Sequence, residues 1–457
     1  MKGRRSGSGP DRTARRRGRA FGNPCATGDP THRRPARRPR QADLGRRDAA
    51  FSSSPGCRCS MLKSLMRHTL LTLAGLATAA PAFGVAFRVP DQDARAIARG
   101  NAFTATADNP SAIYYNPAGI SFLEGTRFRA SAYPILLEVE HDAPGGARTT
   151  TRDKLQGVAQ LYFTSTPDRG AFAWGVGLYT PYGLGTLWPD DAPFRALGTK
   201  AELMYLTLNP VVAWRPLPTL AIAAGPSVDF GKADLRQSIG PSPADQLNFT
   251  GTDFGLAATA GVMWRPHAKH SFGVSYRSPG EMTFDGEAET ALGGARLEQD
   301  ATYHLSLPQH VIVGWSFRPT PAWNFEVNVD WTDWNVVDTA TLGLPGGDAE
   351  VSFDWESGFM YEFGVTRTFP GGLAVSAGYW YGEETVPDAR YKPIVPDVAL
   401  HVFSAGVAWK WGAWELEAVY QLGWGPTRTV TGSEGGLADG DFTYLSHALS
   451  LAAGRKF

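Results

Sequence analysis

Apolar and polar residues alternate with a period of two through most of this chain, most regularly at its end. From Leu445 to Phe457 the odd positions (Leu445, His447, Leu449, Leu451, Ala453, Arg455, Phe457) are mostly large and apolar. The even ones (Ser446, Ala448, Ser450, Ala452, Gly454, Lys456) are small or polar. Successive side chains of a strand point to opposite faces, so this is a strand with one apolar face. The same reading predicts strands near 126–140, 152–165, 171–180, 202–215, 219–235, 253–264, 271–277, 311–318, 325–332, 359–365, 373–381, 403–409, 414–424 and 445–457. That makes about 14 strands, an even number.

The connections carry as much information as the strands. Short turns fall near 165–170, 215–219, 265–270, 318–323, 370–372 and 411–413. Long connections fall near 180–200, 235–250, 285–302, 335–350, 382–398 and 425–441. The two kinds alternate, as they do when short turns occupy one rim of an up-and-down barrel and long loops the other. Trp264, Tyr276, Trp331, Trp409, Trp411 and Trp424 recur at the ends of apolar faces, where a membrane interface places its aromatic girdle. A soluble β-sandwich also alternates. It does not require segregated loop lengths or a closing aromatic at Phe457. The expected fold is therefore all-β: a transmembrane antiparallel β-barrel over 126–457, with Phe457 as its assembly signal.

Charge divides the chain in two. Residues 1–60 hold 16 Lys+Arg and four Asp, about +12. Of the chain's 44 basic and 44 acidic residues, 28 and 40 remain beyond that point, about −12. Residues 1–60 have almost no aliphatic side chains and cannot bury a core; they read as a basic disordered extension upstream of a start at Met61 or Met66, outside the mature protein. Residues 61–84 have the order of a secretory signal: Lys63 and Arg67, then the apolar Thr69–Ala80, then small residues around Ala82-Phe83-Gly84. Cleavage is expected after Gly84, with Ala82 as the alternative. All three cysteines (Cys25, Cys57, Cys59) precede that point, so the mature chain has no disulfide and no Cys-ligated metal.

Catalytic patterns are missing. No Gly-x-Ser-x-Gly or His-Glu-x-x-His occurs, and His267 and His270 lie in a short turn without a third ligand nearby. No enzymatic activity, metal, cofactor or nucleic-acid partner is expected.

Residues 85–125 differ from the rest. Asp91–Arg99 reads as a short helix stopped by Gly100, followed by a turn at Asp108-Asn109-Pro110 and then Ile113-Tyr114-Tyr115-Asn116-Pro117-Ala118-Gly119. With Phe87 and the stretch through Phe103, this segment resembles the N-terminal plug of the outer-membrane long-chain fatty-acid transport family (the FadL type), which includes importers of toluene and related hydrocarbons. Weaker likeness continues in Tyr179-Thr-Pro-Tyr-Gly-Leu-Gly-Thr-Leu-Trp-Pro-Asp190, Ser275-Tyr-Arg-Ser278 and Trp331-Thr-Asp-Trp334, so it spans about 85–457.

The resemblance implies a 14-strand barrel closed by a hatch over 85–125, with the hatch triplet at Asn116, Pro117 and Ala118 and Phe87 lining a ligand pocket. Ligand caught by extracellular loops would pass to that pocket and leave sideways through a gap in the wall. On this reading the protein takes up long-chain fatty acids or aromatic hydrocarbons across the bacterial outer membrane, as a monomer among outer-membrane lipid and lipopolysaccharide, inserted by the barrel-assembly machinery. The alternatives are a general diffusion porin or a barrel enzyme. Tyr182, Leu184, Leu187, Trp188 and Phe194 lie in the 180–200 connection, either exposed as a capture site or packed beneath the loop. A carboxylate head would want an inward cation. Arg277 sits on the polar face of its strand, with Arg129 and Arg318 behind it, and a lumen salt bridge is the competing role for each.

Overall fold

The computed structural model describes residues 86–152, 155–167 and 171–457. The extension at 1–60, the signal segment at 61–84 and its cleavage site lie outside the described residues.

Fourteen antiparallel strands close into a barrel among the described residues. They are β1 (Gly125–Asp142), β2 (Leu155–Thr166), β3 (Phe172–Tyr179, continued by Gly183–Leu187), β4 (Lys200–Leu217), β5 (Leu220–Ser238) and β6 (Gln246–His267). Next come β7 (His270–Arg277 and Gly280–Leu292), β8 (Ala295–Leu307 and His310–Thr320), β9 (Trp323–Thr332 and Thr339–Gly343) and β10 (Ala349–Ser352 and Gly358–Thr368). The last four are β11 (Leu373–Gly382), β12 (Leu400–Trp411), β13 (Trp414–Val430) and β14 (Gly440–Lys456). Each pairs with its neighbours, and β1 pairs with β14 from Arg127↔Lys456 to Asp142↔Asp441. Pairing of the first strand with the last closes the sheet on itself, so neither terminal strand presents a free edge to hydrocarbon, which could not satisfy it.

Alternation sorts the faces as expected. Leu256, Trp264, Phe272, Trp409 and Leu449 face outward and are exposed, while Ser271, Ser275, Asn328, Asp330 and Ser450 face the lumen and are buried. No helix among the described residues is long and apolar enough to cross a membrane.

Several connections expected to be loops are strand. The 285–302 segment is a hairpin of β7 and β8 turning on Gly293-Gly294, both at positive φ (59° and 85°). Strands likewise run into the 235–250, 335–350 and 425–441 connections. These portions stand above the membrane belt, where the outer face no longer has to be apolar, so Glu287 and Glu298 alternate there without a hydropathy signal. The Gly-Gly pair was the available hairpin mark.

The hatch fills the lower lumen. Its first helix, α1, is shorter than the 91–99 stretch expected: Ala94–Ile97, with Asp93 as N-cap accepting from Arg95 N. Gly100 (φ 58°) follows, and a Cβ there would lie 2.5 Å from Tyr379 N of β11, so the chain turns where only glycine fits. The second helix, α2 (Ala112–Tyr115), leads through Asn116 into a 3₁₀ turn, Pro117–Phe122.

Candidate functional site

The lumen has two tiers with different chemistry. In the lower tier, charged hatch side chains meet charged wall side chains. Arg88 makes a bidentate ion pair with Asp330 of β9 and donates to Thr332 Oγ1 at 2.7 Å. Arg99 pairs with Glu326 at 3.4 Å, and Glu326 also accepts from Ala105 N at 2.7 Å and from the Thr106 hydroxyl. Arg129 of β1 donates to Asp93 at 2.9 Å and to Glu417 of β13 at 2.7 Å. All these groups are buried, so each guanidinium compensates a carboxylate that could not otherwise be tolerated there. The sequence reading missed this network. Its trace was an acidic residue recurring on the lumen face of β9, β10 and β13, at Glu326, Asp330, Glu362 and Glu417.

The triplet lies where the hatch meets the wall. Asn116 Oδ1 accepts from Ala118 N at 3.2 Å, and its Nδ2 donates to Thr104 O at 2.9 Å and to Val262 O of β6 at 3.0 Å. Pro117 opens the 3₁₀ turn, where its missing N–H costs nothing. A Cβ on Gly261 would come 2.8 Å from Pro117 Cδ, so this wall glycine is what lets the triplet approach. Ala118 is buried beneath it.

Above the hatch the lumen is apolar. Phe87 packs edge-on against Trp334 at 4.8 Å and against Tyr182 at 6.0 Å, with Trp355 at 5.7 Å. It lines a small cavity of about 50 Å³ together with Leu184, Leu203, Leu305, Val337 and Val395. A second cavity of about 320 Å³ opens toward the long-loop rim, and the two share Leu235, Tyr303, Phe353 and Ile394. Four cations ring the outer cavity, each engaged by a carboxylate: Lys200 with Asp234 (2.7 Å), Arg236 with Asp190 (3.3 Å), Arg390 with Asp354 (2.6 Å) and Lys392 with Glu434 (3.1 Å). The 383–399 loop is strapped to β13 by Arg428. Burial pushes the Asp397 carboxyl in that loop up, against the pull of Arg428 and the amides of Thr385 and Val386.

The 180–200 connection departs from an exposed capture loop. Tyr182, Leu184, Trp188 and Phe194 are buried and Leu187 half-buried. Gly183–Leu187 is strand, pairing with β4, and Trp188 Nε1 donates to Pro393 O across the lumen mouth. These side chains turn inward because the lumen there is itself apolar and takes them as core.

The wall is interrupted beside Phe87. Pairing of β2 with β3 ends at Leu161↔Leu178. Thr180–Gly183 then bond to the hatch rather than to β2: Val89 N donates to Pro181 O at 2.8 Å, Gly183 N to Phe87 O at 2.9 Å, and Gln92 Nε2 to Thr180 O at 2.6 Å. Arg277 of β7 lies close by. It donates to Tyr179 Oη and sits over the rings of Tyr114 and Tyr179, and its Nε has no hydrogen-bond partner among the described residues. Arg129 instead makes the salt bridges weighed against a ligand role, and Arg318 reaches Thr106 Oγ1 at 3.4 Å. Phe457 is exposed at the short-turn rim, where its amide donates to Thr126 O at 2.9 Å.

Known proteins share this fold. The chain is 21% identical over 398 residues to the long-chain fatty acid transport protein of an Escherichia coli strain, covering 76% of this chain and 88% of that one. It is similarly 21% identical over 407 residues to outer membrane protein P1 of Haemophilus influenzae, covering 76% and 86%. Among solved structures, a Pseudomonas aeruginosa FadL homologue superposes with a TM-score of 0.72 at 16% identity, over 81% of this chain and 100% of that one. The Pseudomonas putida toluene transporter TodX does so with a TM-score of 0.68 at 14% identity, with the same coverage. The sequence profile of the outer membrane protein transport family (OMPP1/FadL/TodX) matches residues 73–440. This plugged barrel of the bacterial outer membrane belongs to that family.

Proposed function

We propose that the protein takes up hydrophobic small molecules, long-chain fatty acids or aromatic hydrocarbons, across the outer membrane by passive diffusion. The supporting observation is the apolar lining shared between the outer cavity and the cavity at Phe87, beside which the pairing of β2 with β3 stops. Each CH₂ moved from water into such surface contributes roughly 0.8 kcal/mol, so a tail enters without help from a nucleotide. Ligand reaching Phe87 leaves sideways where residues 87–92 cover the break. This requires Phe87, Val89 and Gln92 to release Thr180–Gly183, four hydrogen bonds and no covalent step, while Arg88 stays paired to Asp330. Arg277 receives the carboxylate of an acidic ligand, its guanidinium being buried among tyrosines rather than ion-paired. Residues 61–84 act as the export signal, the hatch spans 85–125, and Phe457 marks the chain for barrel assembly.

The test is uptake of labelled oleate and toluene by cells lacking their own importer and expressing this chain, with Phe87→Ala and an 87–92 deletion beside it. Uptake above the vector control that falls in both variants is the expected result. Uptake of small sugars instead, with large steady ion currents, would indicate a porin. N-terminal sequencing of the mature protein checks the cleavage site.

A further inference from the structure

We propose that the short-turn rim carries a binding site for the phosphate headgroup of an anionic phospholipid, at the seam between β1, β13 and β14. Nothing in it depends on which substrate the barrel transports. A cavity of about 520 Å³ opens there, with Pro110 of the hatch in its lining. By strand alternation its lumen side presents Arg127, Arg129, Lys410 and Lys456 against Glu415, and its outer lip presents Phe128, Trp414, Arg455 and Phe457.

The positive charge is only partly offset. Lys456 meets Glu124 at 3.3 Å in an exposed pair that a stronger ligand can displace, and the exposed Lys410 meets at 3.5 Å a half-buried Glu415 that Arg95 also holds, so Lys410 can leave without stranding that carboxylate. Arg127 gives its Nε to the Glu124 backbone carbonyl at 3.1 Å, which neutralises none of its charge. Arg129 holds Asp93 and Glu417, yet its Nη1 has no hydrogen-bond partner among the described residues and lies on the side of Gly454 in the cavity lining. That nitrogen is closed to solvent. The first contacts therefore fall to Arg127, Lys410 and Lys456, with Arg129 adding its field from behind. Asp108 of the hatch, exposed and paired with Arg95 at 3.7 Å, is a further anion near Lys410.

The outer lip selects the source of the phosphate. Phe128, Trp414 and Phe457 are exposed toward the bilayer, and Arg455 lies over the Trp414 and Phe457 rings at 5.2 and 4.9 Å. A lipid lays its tails along this lip while its phosphate reaches over the rim to the lysines. A free anion would use the cations and leave the aromatic lip idle.

The test is native mass spectrometry of the delipidated, folded barrel titrated with dioleoyl phosphatidylglycerol or dioleoyl phosphatidylcholine. The wild type is expected to bind the phosphatidylglycerol roughly tenfold or more tightly. The triple variant Arg127→Gln, Lys410→Gln, Lys456→Gln should lose that preference, and Lys269→Gln, in another turn of the same rim, should keep it. Lys410→Gln alone, at an exposed side chain, should weaken it several-fold and provides the reading if the triple variant does not fold. Equal binding of the two lipids, or a preference that survives all these changes, overturns the site. Displacement of the lipid by inorganic phosphate at the lipid's own concentration overturns the lipid as occupant.

Discussion

Replacing Arg88 with methionine isolates one of three fully buried ties between hatch and wall. Arg88 and Asp330 are 1% and 0% exposed at their side chains. Removing the guanidinium leaves Asp330 charged in the lumen, near Glu362, a second buried carboxyl whose neighbour Asn328 donates to it at 2.6 Å. Breaking a buried pair from one side costs about 3–5 kcal/mol. The strand ladder of the barrel does not use this pair, so the loss falls on the seated hatch. At 1.4 kcal/mol per tenfold, the ratio of seated to unseated hatch drops by roughly a hundredfold to a few thousandfold. Planar-bilayer recordings should show bursts of ion current absent from the wild type, and limited proteolysis should cut within 86–124 while the barrel keeps its folded gel mobility. Adding Asp330→Leu should quieten the channel again, because a buried ion pair is close to break-even with an apolar pair of similar volume. A silent, protease-resistant Arg88→Met variant refutes the reasoning. A double variant no quieter than the single one would place the effect in lost packing instead of uncompensated charge.

Deleting residues 87–122 should convert a quiet barrel into a steadily conducting one, read in the same bilayers; unchanged conductance would mean the hatch does not close the lumen. Asn116→Ala takes the side-chain donor from the buried Thr104 carbonyl, at about 1–3 kcal/mol, and removes the tie to Val262 O of the wall, so uptake should fall while heat-modifiable mobility shows an assembled barrel. Gly261→Leu should displace Pro117 and raise ion leakage, and normal currents would show that the hatch has slack at this contact. Arg277→Met should reduce oleate uptake several-fold and leave toluene uptake unchanged; equal losses would make Arg277 a structural partner of Tyr179.

How much was legible in the sequence follows from where lipid constrains the residues. Along β6, β12 and β14 the bilayer demands an apolar side chain at every second position, and the alternation at Leu445–Phe457 or Phe403–Trp409 gives the strand, its face and its register. Above the belt the demand ends, so the β7–β8 hairpin read as a loop although its backbone is as regular. In the lumen the sequence is ambiguous for another reason. Asp330 is simply polar until one knows that Arg88, 242 residues earlier, lies against it. Likewise the sequence leaves Tyr182, Trp188 and Phe194 either exposed or packed beneath their loop, because nothing local reveals that the upper lumen is apolar. Phe87 and the Asn116-Pro117-Ala118 turn were found through motif likeness. Local hydropathy alone would not have separated them from any short helical segment.

The division of the lumen bears on the direction a ligand takes. On the uptake reading, about ten methylenes held near Phe87 are stabilised by roughly 8 kcal/mol relative to water. A route downward would return all of that, since the tail would have to pass the layer of Arg88–Asp330, Arg99–Glu326 and Arg129–Asp93 pairs and emerge in water. It would also have to break buried ion pairs on the way. A route through the break between β2 and β3 returns almost nothing, because the bilayer solvates the tail as well as the cavity does. The obstacle there is the four hydrogen bonds that Phe87, Val89 and Gln92 exchange with Thr180–Gly183, which an extended segment can remake once the tail has passed while Arg88 stays paired to Asp330. The charged tier therefore does more than stop ions. It makes the aqueous exit the costlier of two exits for a greasy molecule, and the same pairs that keep the hatch seated direct the ligand into the membrane.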